Sequence, residues 1–448
     1  MTAPLLAILS MTVLGLPVTL AVDRRARGPL LIGVSFLYGS GAIFLILLAL
    51  SVMKLRWTLP AVILAALAIF CAASILAKRR AAAGKLQPAT HAHVFDVVTL
   101  FALTGYALYA TLAPLWEWDF WAIWGLKARV FLEASGIDWH FLGSRWNWFA
   151  HTDYPLLVPL NFDFVAMING GWSDRWLGLL CVAWGVAAVL IVRGLAARET
   201  SPFFASLLGF ALASRAVSTY FGLAEGALIA FGGSGVLFVR AALRDEDDAP
   251  AWRHGALMLG FAANCKNEGL ALLVAVTIAV AAISWFRGGE TSRMRRLMIA
   301  ARLWPAYALA APWLLLRLIH VLPTDIAGGS AVSRLIARLP QAHQILGYLL
   351  ANLHAPWFWI AILAAILIAP AAARHDERFV FLVAFVQLAF YVVAYLATPQ
   401  DLHWHVQTSW GRLTEQVTMP LTFVVFLMLA NSLRGGQDAP HAQTRSGE

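Results

Sequence analysis

Four short stretches of the chain set acids, bases and histidines where they could handle a proton or an anion. WEWDF at 116–120 holds Glu117 and Asp119, and HTDYP at 151–155 holds His151, Asp153 and Tyr154. CKNEG at 265–269 holds Lys266 and Glu268, and DLHWHVQTSWGR at 401–412 holds His403, His405 and Arg412. A further acid, Glu225, lies in GLAEGALIA with Tyr220 just before it. A carboxylate within hydrogen-bond reach of a hydroxyl can take its proton as the oxygen attacks. An ammonium holds a phosphate as a point charge, and a guanidinium forks onto it. Each group also has a plainer reading. Asp119 could cap the helix that follows it, Lys266 could snorkel from a loop, and Glu225 could rest in the interface. His403 and His405, which alternate and would share one side of an extended strand, lack a third clear metal ligand.

The chain around these groups makes them informative. Of 448 residues, 60% are hydrophobic and 13% charged, whereas soluble domains average roughly 45–50% and about 25%. This composition specifies an all-α polytopic membrane protein. An ionisable side chain in hydrocarbon costs roughly 2.5–3.5 kcal/mol on insertion scales, so it tends to persist where it faces a cavity or performs a task. Apolar runs of the length needed to cross a bilayer number about thirteen. They lie near 4–22, 29–53, 58–77, 94–115, 174–192, 201–216, 222–240, 254–266, 268–286, 298–319, 345–369, 378–396 and 413–432. The pair around residue 266 is short on both sides, which predicts two helices meeting at a break where Asn267 and Gly269 let the chain turn.

Basic residues mark the cytoplasmic ends of such runs. DRRAR, KRRAAAGK, RGLAAR, RAALRDEDD, RGGETSRMRR, ARHDER and the tail from Arg434 fall on one side if the N-terminus is outside. The net charge of +9 is then chiefly a topology signal and gives no reason to invoke nucleic acid. The first run has no basic stretch before it and reads as a retained helix. Cys71, Cys181 and Cys265 all lie inside apolar runs and suggest no disulfide framework.

This topology leaves outer stretches near 114–174, 320–344 and 397–413. The first is long for a connection, and long ordered loops commonly carry function. Nine of the 19 tryptophans fall between 116 and 176. From Asp119 a helical pattern runs to Ala134-Ser135-Gly136, with Trp121, Trp124, Ala128 and Phe131 on one face and Arg129 and Glu133 on the other. Such a ring-rich amphipathic helix should lie along the membrane surface at headgroup depth. Arg412 is expected at the start of the last helix, where backbone N–H groups add positive potential. Arg334, Arg338 and His343 read as a basic surface turn in contact with lipid.

Taken in order, WEWDF, KARVFLEASG, HTDYPLLVPL, GFAANCKNEGL and TPQDLHWHVQTSWGRL resemble the bacterial branch of the GT-C glycosyltransferases, near the protein O-mannosyltransferases and the aminoarabinose lipid A transferases. The resemblance covers residues 94–432. The three helices before residue 80 stand outside the family pattern, and no large soluble C-terminal domain follows. The implied organisation is an N-terminal three-helix membrane segment (1–80), a GT-C-like transmembrane catalytic module (94–432, outer loop 114–174) and a disordered cytoplasmic tail (433–448).

The resemblance implies an inverting membrane glycosyltransferase of the bacterial inner membrane. It would take a sugar from a polyprenyl-phosphate-linked donor and pass it to an envelope acceptor (glycan, lipid or protein) on the periplasmic face. Asp119 would be the general base, with Glu117 as the alternate. Lys266, Arg412 and His405 would hold the lipid phosphate, and His151, Asp153, Tyr154, Glu225 and Glu268 would contact substrate. No residue set specifies a metal, and a divalent cation on the phosphate stays an open option. The rival from another class is a transporter or flippase for a lipid-linked or anionic solute, with Lys266, Glu268 and Glu225 as its intramembrane path. A scaffold subunit of an envelope assembly is a third reading.

Overall fold

The structure is a computed structural model that describes residues 2–79, 92–216, 221–286, 298–324, 330–368 and 375–435. Tyr220 and most of the C-terminal tail fall outside the described residues. Helices account for nearly all regular structure, and no strand occurs among the described residues. They are α1 (Thr2–Val22), α2 (Gly28–Val52), α3 (Leu59–Arg79), α4 (Val94–Leu112), α5 (Gly125–Ala134), α6 (Trp139–Gly143), α7 (Leu157–Asn169), α8 (Asp174–Ala196) and α9 (Pro202–Ala216). After α10 (Glu225–Arg244) come α11 (Ala249–Ala262), α12 (Asn267–Phe286), α13 (Trp304–Ile319), α14 (Ala331–Arg338), α15 (Ala342–Ala351), α16 (Pro356–Ile368), α17 (His375–Ala397) and α18 (Leu402–Gly435).

Runs of Leu, Ala, Val and Ile become helices because only a helix satisfies every backbone N–H and C=O within one apolar segment. Nine helices are long and apolar enough to cross a membrane among the described residues, namely α1 to α4, α8, α10, α12, α17 and α18. A tenth crossing is available if the α14–α15 segment and α16, bent by 106° at their junction, count as one. The run expected at 345–369 therefore straddles a break. Those expected at 201–216, 254–266 and 298–319 become α9, α11 and α13, of 15, 14 and 16 residues. At 1.5 Å per residue each is about 21–24 Å long, short of a core of about 30 Å.

The segments that join the helices meet in two chemically distinct groups. In one group, Arg25 bridges Asp23 and Asp248, Arg193 pairs with Asp96, and Arg240 joins Glu199 and Asp376. These pairs gather the basic segments flanking α1, α2, α4, α8 to α11 and α17. In the other group the outer loop is hooked onto the N-terminal helices. The Trp57 N–H donates to the Ser135 carbonyl at 2.8 Å, and the Ile137 N–H donates to Ser51 Oγ at 3.1 Å. α1 and α2 cross so closely that a Cβ on Gly39 would lie 1.7 Å from the Met11 carbonyl oxygen. One apolar core runs from Ala7 in α1 to Met428 in α18, so the first helices share it with the rest. A smaller cluster around Ile345, Tyr391, Tyr395, Val406 and Trp410 packs α15, α17 and the start of α18 together.

Candidate functional site

Asp119 lies seven residues past the end of α4 and immediately precedes a π-helical turn, Phe120–Trp124, that leads into α5. It stands at the N-cap position, but its carboxylate accepts no capping bond. Oδ2 instead accepts from Arg412 Nη1 at 2.5 Å, across 293 residues of sequence. The plainer reading of Asp119 as a helix cap is therefore not what the side chain does.

The π turn also corrects the expected face of this helix. A π turn inserts one residue relative to α geometry, which rotates the preceding positions. Phe120 thus joins Trp124, Ala128 and Phe131 on the buried face, whereas Trp121 is half exposed. α5 packs its ring face into the protein core, against α7. Arg129 and Glu133 lie on the exposed face, as expected, and pair there at i,i+4. The helix ends at Ser135, whose left-handed φ of 53° lets the Gly136 N–H return to the Phe131 carbonyl.

Asp119 lies on the wall of a cavity of about 470 Å3, within the roughly 300–1,000 Å3 usual for small-molecule sites. Nine of the ten residues named from sequence line it: Asp119, His151, Asp153, Tyr154, Glu225, Lys266, Glu268, His405 and Arg412. Glu117 does not. It sits just outside the wall, where burial pushes its carboxyl above the usual range, Asp119 and Glu225 add to the rise, and Arg412 opposes it.

The charged groups form a chain. Arg412 reaches Glu225 Oε1 at 3.8 Å as well as Asp119, and Lys266 Nζ holds Glu225 Oε1 at 3.0 Å and Glu268 Oε1 at 2.9 Å. Lys266 and Glu268 would diverge as i,i+2 neighbours on one helix; they meet because Lys266 lies in the break before α12, where two helices were expected to join. The turn there is tight: a Cβ on Gly269 would lie 1.9 Å from the Ala262 carbonyl oxygen. Among the described residues, Arg412 Nε and Nη2 donate to no protein group, and Lys266 has used two of its three N–H donors. Donor capacity for an anion therefore remains.

A second group holds the 151–156 turn. Arg317, near the end of α13, pairs with Asp153 Oδ2 at 3.1 Å and contacts Asn267 Oδ1 at 3.4 Å. Trp313 Nε1, one turn earlier, donates to the Asp153 carbonyl at 3.3 Å. His151 has φ of 45°, a left-handed conformation uncommon for a non-glycine residue, and stacks on Tyr154 with centroids 4.7 Å apart. Its carbonyl accepts from Lys127 Nζ at 3.0 Å. Lys127 is fully buried behind Trp124 and Tyr154, its ammonium 4.9 Å from the tryptophan ring. Burial pushes it down to about 7, with Asp153 opposing.

Sequence reasoning passed over Arg317 and Lys127. Arg317 sits inside the apolar run at 298–319, so the cost argument applied to Lys266 would have flagged it. Lys127 carries no such mark, because its segment is outwardly a polar loop.

Three expectations about the C-terminal segment need correction. α18 begins at Leu402, so His403 and His405 lie on a helix, where i,i+2 side chains diverge. His403 packs against Tyr348, and His405 Nδ1 meets Thr398 Oγ1 at 2.8 Å. Arg412 is ten residues past the helix start, beyond the first turn where backbone N–H groups would matter. Arg334 and Arg338 bind the carbonyls of Ala397, Thr398 and Gln400, capping the end of α17 rather than simply meeting lipid.

The arrangement can take a proton at Asp119, hold an anion against Arg412 and Lys266, and orient a polar ligand along Asp153, Glu225 and Glu268. No family model, curated protein or solved structure matches this chain.

Proposed function

We propose that the protein is a membrane glycosyltransferase that moves a sugar from a polyprenyl-phosphate carrier to a hydroxyl acceptor, with inversion and with Asp119 as general base. We place the cavity on the periplasmic face of the bacterial inner membrane, and we read the helical array as GT-C-like. The observation that carries the reading is the Asp119–Arg412 pair in the wall of the cavity. It sets a base directly beside a cation with unused donors.

The chemistry then follows. The acceptor oxygen forms its bond to the anomeric carbon as the bond from that carbon to the phosphate oxygen breaks. Its proton passes to Asp119, and the departing lipid phosphate keeps the electron pair and gains a second negative charge. Arg412 fixes the Asp119 carboxylate in the cavity wall beforehand, so the base is already in position to accept. Cations already fixed beside the phosphate stabilise that growing charge more than the ground state, which is what lowers a barrier. A sugar that belongs in water on a carrier that belongs in lipid requires a site between the two. A charged cavity lined by apolar helices and by the 151–154 turn is in keeping with that setting.

Asp119→Asn is expected to lower transfer by about 10²–10⁴-fold in purified protein supplied with a panel of radiolabelled lipid-phosphate sugars. Undiminished transfer by a correctly inserted variant would overturn the assignment of the base.

The transporter reading draws on the charge chain from Asp119 through Arg412, Glu225 and Lys266 to Glu268, of which Glu225 and Lys266 are buried. It expects broken helices in two corresponding halves, and among the described residues one helix pair is sharply bent. The two readings part on product: a transferase makes a new glycoside in detergent, and a transporter moves solute only across a sealed membrane. A scaffold would tolerate the loss of Asp119.

A further inference from the structure

The cavity wall is short of hydrogen-bond donors. Oδ1 of Asp153, Oε2 of Glu225 and Oε2 of Glu268 have no protein partner. Asp153 and Glu225 are 2% and 1% exposed, and all three residues line the same cavity from three separate segments. Their other oxygens are taken: Arg317 and Asn267 hold Asp153, and Lys266 holds both glutamates. A carboxylate oxygen withdrawn from water and left unpaired is costly. Three in one wall mark a surface completed by something else. Ionised carboxylates accept and do not donate, so whatever completes them brings hydrogens.

Charge narrows the class of ligand. The wall holds four carboxylates, Asp119, Asp153, Glu225 and Glu268, against three cations, Lys266, Arg317 and Arg412. Anionic groups on a ligand would deepen that excess, whereas hydroxyl or ammonium groups would not. Among the described residues no three His, Cys, Asp or Glu side chains are grouped to hold a metal ion. The three oxygens therefore match separate hydroxyl hydrogens better than one shared cation.

We infer that Asp153, Glu225 and Glu268 form the subsite for the transferred sugar, and that it selects sugars presenting hydroxyl or ammonium donors while rejecting uronic acids. The inference rests on the transferase reading and gives it a substrate class. Hydroxyls of the ring donate to the three carboxylates, and Arg412 with Lys266 is left for the phosphate at the anomeric end. A uronate replaces a donor with a second anion beside an already acidic wall.

The test is direct binding of farnesyl monophosphates to the full chain in lipid nanodiscs, read by tryptophan fluorescence. Four probes are compared: bare farnesyl phosphate, and the same carrier bearing a neutral hexose, an amino hexose or a hexuronic acid. The hexose and amino hexose are expected to bind at least about tenfold tighter than the bare phosphate. The uronate should bind no tighter than the bare phosphate. A uronate that binds as well as the hexose, or sugars that add no affinity, would overturn the subsite. Glu268→Gln should weaken the hold on the hexose. Because the same change frees Lys266 of a partner, the deciding quantity is the ratio of hexose to bare-phosphate affinity, which should fall about tenfold; an unchanged ratio would count against the assignment. Sugar discrimination without any transfer would sink the transferase reading and leave the subsite standing. Efficient transfer from the uronate would do the reverse.

Discussion

Asp119 sets its carboxylate against Arg412 instead of capping its own helix. The sequence made Asp119, Lys266 and Arg412 visible because charge in an apolar chain is expensive. It could not show that each cation already holds acids, since pairing partners lie as far as 293 residues away. The resemblance put Asp119 ahead of Glu117, two residues away, and of the two only Asp119 lines the cavity. On the proposed reading Glu117→Gln is expected to retain most transfer activity where Asp119→Asn loses about 10²–10⁴-fold; similar losses in parallel assays would reverse the ranking. Lys127 shows what burial alone can do. Its folded-state value of about 7 lies below the 10.5 of an exposed lysine. Between those values the unfolded chain carries a proton that the folded one has released, so stability should rise as pH climbs from about 7 toward 10. The full range is on the order of 5 kcal/mol. Thermal unfolding of the wild type should show this rise, and Lys127→Met should flatten it; a rise that survives in the variant would mean another group is responsible.

At the scale of elements, the apolar periodicity located the helices well and described their faces poorly. The 3.6-residue repeat assigns Trp121 to the ring face of its helix, and the π turn at Phe120–Trp124 gives that place to Phe120. A similar π turn, Ile229–Gly233, follows Glu225 inside α10. Two π turns, each close behind an acid of the cavity, are in keeping with their frequent use at functional sites, and periodicity has no means of announcing them. The turn before α10 adds a further constraint. Gly222 has φ of 84°, and a Cβ there would lie 2.8 Å from Phe120 Cβ. Gly222→Ala should therefore push on the residue next to Asp119 as well as strain its own backbone. The extra residue of the π turn can be tested on its own. Deleting Trp121 should restore α geometry and rotate Asp119 by about 100° away from Arg412. Trp121→Ala removes the same half-exposed ring and keeps the spacing. The deletion is expected to abolish transfer while the substitution leaves it within a few-fold; equal effects would show that the ring matters and the register does not.

The whole molecule is organised by the segregation of its charge. Read from Lys and Arg alone, the basic segments faced one side of the membrane. In the structure Arg25, Arg193 and Arg240 do fall in one group, but they meet Asp248, Asp96, Glu199 and Asp376 there. Part of what looked like a headgroup-facing charge thus ties helices together. The count of about thirteen crossings was less legible, because 14- to 16-residue helices and a 106° bend carry the hydropathy of a span without its reach. Sidedness does not depend on that count. Arg145, exposed in the segment that leads to His151 of the cavity wall, and Asp247, exposed beside the Arg25–Asp248 pair, are expected on opposite sides. With Cys71, the one exposed native thiol among the described residues, replaced by alanine, single cysteines at these positions should label from opposite faces of intact inner-membrane vesicles. An impermeant maleimide added to right-side-out spheroplasts should reach the Arg145→Cys thiol, and inverted vesicles should expose the Asp247→Cys thiol. Labelling of both from the same face would mean that the two segments do not lie across a bilayer. Labelling with the faces exchanged would keep the bundle and put the cavity in the cytoplasm, where a carrier sugar and an outer-face acceptor could not both arrive.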